Sequence, residues 1–224
     1  MNSETGRRDG AVLFILAGPR GSGKSTLTRK ALRDKTPLFG DEHAESFLGF
    51  SREFDRHSDG AQDIIAGRTW VGLPHLPLLQ TQHRRPAVLF LHCDLMTLFQ
   101  VAQCPYEELG DIRTYLPYID YLMSMGFLQW FDHVVVRTLH VPLAVVAQRH
   151  RKRLLEPGRR LASNVARLYD PAQPQDANYA CVYRAWERVR NELRAQALAR
   201  QCRFTEFVST LEPSAARQPL DARL

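Results

Sequence analysis

Cysteine is scarce and scattered in this chain, with four among 224 residues, at Cys93, Cys104, Cys181 and Cys202. No two of them form a C-x-x-C pair, so neither a zinc site nor a disulfide framework is indicated. A reducing, cytoplasmic setting is the expected compartment. Long hydrophobic runs are missing too. No stretch approaches the ~20 apolar residues that a membrane-spanning helix needs. Arg7-Arg8 followed by the apolar run 11–17 has the order of a short signal peptide. That run has only seven residues and leads directly into a glycine-rich turn, so it is predicted to be a strand. There is no internal repeat, and no N-K-x-D-like element of the kind that reads a guanine base. Spacing alone argues no Ser-His-Asp or Cys-His arrangement.

What is present is an ordinary globular composition, 44% apolar, enough for a real core. The length fits one α/β domain with elaborations. The net charge is +6, and the basic residues concentrate in Arg149-His150-Arg151-Lys152-Arg153, in Arg159-Arg160 and along residues 184–203. Charge of this kind suits an anionic nucleotide and a phosphorylated or acidic substrate. A nucleic-acid partner is the other class it admits.

The most informative segment is Gly18-Pro19-Arg20-Gly21-Ser22-Gly23-Lys24-Ser25-Thr26, which fits G-x-x-x-x-G-K-[ST]. A β-prone run precedes it and a helix-compatible run, 27–32, follows. Gly18, Gly21 and Gly23 permit a tight turn that aims backbone N–H groups inward. The helix beginning near Lys24 adds the positive end of its dipole. Lys24 is placed to reach β- and γ-phosphates, and the Ser25 hydroxyl to ligate Mg²⁺. Residues 18 and 20–26 are therefore the candidate triphosphate-binding set, with ATP and Mg²⁺ as the expected ligands.

Further along, residues 1–10 are polar and expected to fray. Strand one is predicted at 11–17 and the first helix at about 24–33. Residues 36–40 read as a short second strand ending at Asp41-Glu42. The stretch 43–86 is long, rich in glycine, proline and polar residues, with one short helical candidate at 59–66; such stretches are usually functional. Residues 87–91 form an apolar run of buried-strand length, followed by His92-Cys93-Asp94. A helix is predicted at 117–125, with Pro117 at its first position and Gly126 past its end. A strand is predicted at 133–139, then a helix over 142–155 stopped by Pro157-Gly158. From 176 to about 200, Tyr179, Val182, Trp186, Val189, Leu193 and Ala197 recur at helical spacing and read as core. A last strand is predicted at 203–209, and 210–224 as a loose tail. Alternation of this kind implies a parallel sheet of about five strands with helices on both faces, in three layers.

Three further constellations bear on chemistry. Asp94, near the carboxyl end of a buried strand, could hold Mg²⁺ directly or through water, or could cap the following helix. Asp41 and Glu42 close the predicted second strand and so are expected at the same sheet edge. There a carboxylate could take a proton from an attacking hydroxyl, or could serve as a cap. Arg149 and Arg153, four apart, share a helix face and could stabilise charge on a transferring phosphoryl group, or could be a solvated basic face. Arg52, Arg56, Arg68 and Trp70 are weaker candidates for binding an acceptor.

Taken together, the loop at 18–26, the acidic pair at 41–42, the strand ending near Asp94 and the strand-then-arginine-helix at 133–153 resemble the P-loop small-molecule and nucleotide kinases. The resemblance is to the branch with gluconate kinases, chloramphenicol phosphotransferases and zeta toxins. It covers roughly residues 11–155, and only the loop is specific. It implies a three-layer P-loop NTPase fold over 11–209, with 43–86 as an acceptor-side insertion and 142–160 as a lid helix. It also implies γ-phosphoryl transfer from ATP to a small-molecule or nucleotide hydroxyl. In that branch an acid after strand two acts on the acceptor and an R-x-x-x-R-like helix closes over ATP, roles that fall on Asp41 and on Arg149 with Arg153. The alternative is a P-loop ATPase or nucleotide-dependent regulatory module, nucleic-acid-linked in one version.

Overall fold

The computed structural model describes residues 10–50, 68–72, 87–95, 128, 130–154 and 176–210. Five strands form one sheet: β1 Val12–Gly18, β2 Arg68–Gly72, β3 Val88–Asp94, β4 His133–His140 and β5 Arg203–Thr210. Their order is β2-β3-β1-β4-β5 and every pairing is parallel. All five amino ends therefore share one edge and all five carboxyl ends the other. Helices with described bounds are α1 Lys24–Arg33, α2 Ala44–Leu48, α3 Leu143–Leu154 and α4 Asp176–Ala199.

The unbroken apolar sequence of β1 follows from burial on both faces, since every one of its residues is buried. Leu13, Ile15 and Ala17 face one cluster, which the α4 stripe Val182, Trp186, Val189, Leu193 and Ala197 covers. Val12, Phe14 and Leu16 face the other, with Ala31 and Leu32 of α1, Phe47 of α2 and Val145 and Val146 of α3. The connection leaving β1 moves one way across the sheet and the connection leaving β4 moves the other. Helices α1 and α3 cover one face, and α4, which returns the chain to β5, covers the other, as a right-handed crossover from β4 requires. The result is an α/β sheet with helices on both sides.

Sequence expectation and structure part company at residues 36–40. They form no strand. Leu38 and Phe39 are instead buried, and Phe39 stacks on Phe14 at 4.7 Å and meets Phe47 and Phe90 edge-on. Pro37 offers no N–H to a ladder, so burial of two side chains rather than strand pairing organises this segment. The second strand is β2, inside the stretch expected to be an insertion. Strand β3 also extends past the apolar run. His92 and Cys93 are ladder residues, and the strand ends at Asp94. The predicted helices at 59–66 and 117–125, the stop at 157–158 and the termini 1–9 and 211–224 lie outside the described residues.

Candidate functional site

The glycine-rich loop leaves the carboxyl end of β1, in the centre of the sheet. Here β1 and β4 are neighbours, and the chain leaving β1 turns outward to β3 and β2 while that leaving β4 turns the other way to β5, the place where a crevice opens in such sheets. Gly21 and Gly23 hold left-handed backbone, φ +83° and +97°. A side chain at either position would be strained, which is why the turn requires glycine there. Gly23 is the N-cap residue of α1 and has no side chain to cap the first turn, which carries the positive end of the helix dipole. Ser22 is buried and its N–H bonds the Pro19 carbonyl at 3.0 Å, closing the turn. The Lys24 ammonium lies across the loop, donating to Gly18 O at 2.6 Å and Pro19 O at 3.1 Å. Ser25 and Thr26, on the first turn of α1, are exposed, as is Arg20.

Asp94 is the register partner of Gly18. The ladder thus sets a half-buried carboxylate directly beside the start of the loop. The two residues before it have structural duties. Cys93 faces the α4 side and is buried, and burial pushes its thiol well above the ordinary range. His92 faces α1, where its Nε2 lies 3.3 Å from Thr28 Oγ1. Burial, with Lys24 and Arg29 nearby, holds this imidazole down to about 3, so it is neutral at physiological pH.

Helix α3 packs onto the outer side of the loop. Arg149 Nη1 donates to Gly21 O at 3.1 Å and to Ser22 O at 2.8 Å. The buried His150 places Nε2 3.1 Å from Arg20 O. Arg149 therefore meets the carbonyl side of the turn and braces its backbone. Arg153 lies one turn further along α3, and its side chain is outside the described residues. The tyrosines of α4 fix where α3 begins. Tyr183 accepts from Val141 N and donates to Leu139 O, each at 3.0 Å, and Tyr179 donates to Val141 O at 2.5 Å. Sequence reading marked Arg149 and missed His150, whose partner is 130 residues away.

Asp41 and Glu42 need a correction. They do not end a strand but begin a short 3₁₀ turn, Asp41–His43. Glu42 Oε2 lies 3.3 Å from Arg203 Nη2, at the first residue of β5. Asp41 and Glu42 line a cavity with Val12 and His133, which also begin strands. The pair is thus at the amino edge. The seven residues of β1 separate that edge from the loop, about 20 Å at ~3.3 Å per residue. Helix α1 runs back along the sheet before the chain reaches Asp41, and this return carries the acids away from the loop. Arg68 begins β2 at the same amino edge. The side chain of Trp70 and residues Arg52 and Arg56 lie outside the described residues.

No protein-family model matches this chain, and no curated protein is significantly similar to it. Among the described residues no helix is long and apolar enough to cross a membrane.

Because Arg149 holds two loop carbonyls, Arg149→Ala should loosen the turn in every state. The expected result is a fall in thermal midpoint of about 2–4 °C, a loss of about 1 kcal/mol, since hydrogen bonds from a charged group contribute about 1.5–3 kcal/mol and this guanidinium is half-exposed. Thermal unfolding of parent and variant measures it, and an unchanged midpoint would mean that the two bonds do not hold the turn.

Proposed function

We propose that this chain is an ATP-dependent phosphotransferase that moves the γ-phosphoryl group to the hydroxyl of a small molecule or nucleotide, on a P-loop kinase-like fold. The observation that carries this reading is the register of Gly18 against Asp94. It gathers the left-handed turn, the uncapped start of α1, Lys24 and a carboxylate at one sheet edge. The donor set suits the ligands. Backbone N–H groups of residue 21 and residues 23–26 with Lys24 would hold the triphosphate, while the Ser22 N–H closes the turn on Pro19 O, and Arg20 lies exposed at the loop for the same anion. The Ser25 hydroxyl and the Asp94 carboxylate are hard oxygen ligands of the kind Mg²⁺ takes. When bound, that ion offsets phosphate charge. Lys24 supplies positive charge toward the γ-phosphoryl group, Arg149 keeps the turn in shape, and the buried sheet below excludes water from one side.

Displacement of Asp41 and Glu42 to the far edge leaves the acceptor's proton without an assigned base. That observation favours a second reading, a P-loop ATPase or nucleotide-dependent regulatory module. ADP release separates the two. The full chain is incubated with MgATP and a panel of sugars, nucleosides and nucleotides, against water alone. Phosphotransfer requires one acceptor to raise ADP release and to emerge phosphorylated. Release equal to the water rate across the panel supports hydrolysis.

Asp94→Asn tests the metal assignment. The amide keeps the shape and loses the charge, so the Mg²⁺ concentration for half-maximal turnover should rise about tenfold or more. A Mg²⁺ titration identical to the parent's would make Asp94 a helix cap.

A further inference from the structure

The amino edge of the sheet holds a second constellation, unrelated to the glycine-rich loop. A cavity of about 420 Å³ opens there beside the Asp41–His43 turn and the start of β4. The turn delivers Glu42 and His43 in succession, and β4 delivers His133 as its first residue. The two imidazoles meet edge to face, ring centres 4.5 Å apart at 68°. One ligand-capable atom from each of Glu42, His43 and His133 lies within 4.8 Å of the other two. Glu42 Oε1 is 3.3 Å from His43 Nε2. Ligands in a tetrahedral shell with bonds of ~2.0–2.1 Å sit ~3.3 Å apart, so this edge of the shell already has its length.

The surroundings orient these groups. Thr205 Oγ1 is 2.8 Å from His133 Nε2, which fixes that ring. Arg203 draws the second oxygen of Glu42 away, at 3.3 Å. Both are contacts of the kind that set the direction of metal ligands. His43 Nε2 is buried without a hydrogen-bond partner, although it faces a carboxylate and a second imidazole. A buried nitrogen in that state is costly unless something else binds it. Asp41, Glu45 and Asp132 line the same cavity, adding negative charge that offsets Arg203.

We propose that Glu42, His43 and His133 bind a divalent transition-metal ion of the zinc class, with a fourth position open to the cavity. Two imidazoles and one carboxylate suit Zn²⁺, whereas Mg²⁺ prefers oxygen ligands. The ion ties the 41–43 turn to the head of β4, and the site is independent of the nucleotide reading because a whole strand length separates the two. Metal-stripped full chain is titrated calorimetrically with Zn²⁺ in excess Mg²⁺. The expected result is saturable binding of one ion per chain, with a rise in thermal midpoint. Glu42→Gln and His43→Gln should each weaken Zn²⁺ binding by a factor on the order of 10² and abolish that rise, with the circular dichroism of the parent retained. Absence of saturable binding to the parent overturns the proposal. So does a Kd unchanged in both variants, which would assign the zinc to other histidines. Glu42 is half-exposed, so Glu42→Gln decides the matter even if His43→Gln does not fold.

Discussion

Lys24→Ala should lower nucleotide turnover by a factor on the order of 10² or more, with the fold retained. The ammonium spans the loop, bonded to the Gly18 and Pro19 carbonyls, next to the uncapped start of α1. Charge aimed at a transferring phosphoryl group acts most strongly in the transition state, and a single such donor is worth about 2.7–4 kcal/mol. Structural cost is small by comparison. Lys24 is half-buried and faces the loop rather than either apolar cluster. A loss of about 1 kcal/mol would move Tm by about 2–4 °C in a chain of this size. ADP release and thermal unfolding are measured on the same preparation. A folded Lys24→Ala protein with parental turnover would remove the loop from the chemistry altogether.

Trp186→Ala should produce the largest loss of stability. Trp186 is 1% exposed, sits mid-stripe on α4 against β1 and β4, and donates from Nε1 to Thr138 Oγ1 at 2.9 Å. Truncation leaves a cavity under the sheet and strips Thr138, itself fully buried, of this donor. Removing a buried tryptophan side chain costs about 3–5 kcal/mol, and the abandoned hydroxyl adds to that. Chemical denaturation should show a lower midpoint at a similar slope, and Tm should fall by about 10 °C or more. Leu198→Ala, at an exposed position of the same helix, should stay within about 0.5 kcal/mol of the parent. Equal effects at the two positions would contradict the packing of α4.

The two kinds of loss report on different layers of one design. The α4 stripe fixes β4 and, through Tyr179 and Tyr183, the point at which α3 starts. Helix α3 then sets Arg149 and His150 on the carbonyl side of the loop. A destabilising change in α4 is therefore expected to reach the geometry of the glycine-rich loop.

Much of the architecture was legible from local pattern. The loop at 18–26, helix α1, strands β1, β4 and β5, and helices α3 and α4 all stand within a residue or two of expectation. Each is signalled by residues adjacent in sequence: a seven-residue apolar run, a glycine spacing, a stripe at helical period. Strand β2 carried no such signal, because its five residues are short and mixed. Residues 36–40 misled because a buried aromatic plug and a buried strand look alike over five positions. What sequence could not contain is which elements become neighbours. Asp94 stands beside Gly18 because β3 inserts next to β1. Asp41 and Glu42 stand at the opposite edge because α1 carries the chain back along the sheet. There Glu42 and His43 meet His133, 90 residues on. Local sequence determined the elements and the glycine-rich turn between β1 and α1, since both depend on short-range spacing. The order of parallel strands, decided only by how two apolar faces are covered, determined which carboxylate and which histidines share a site.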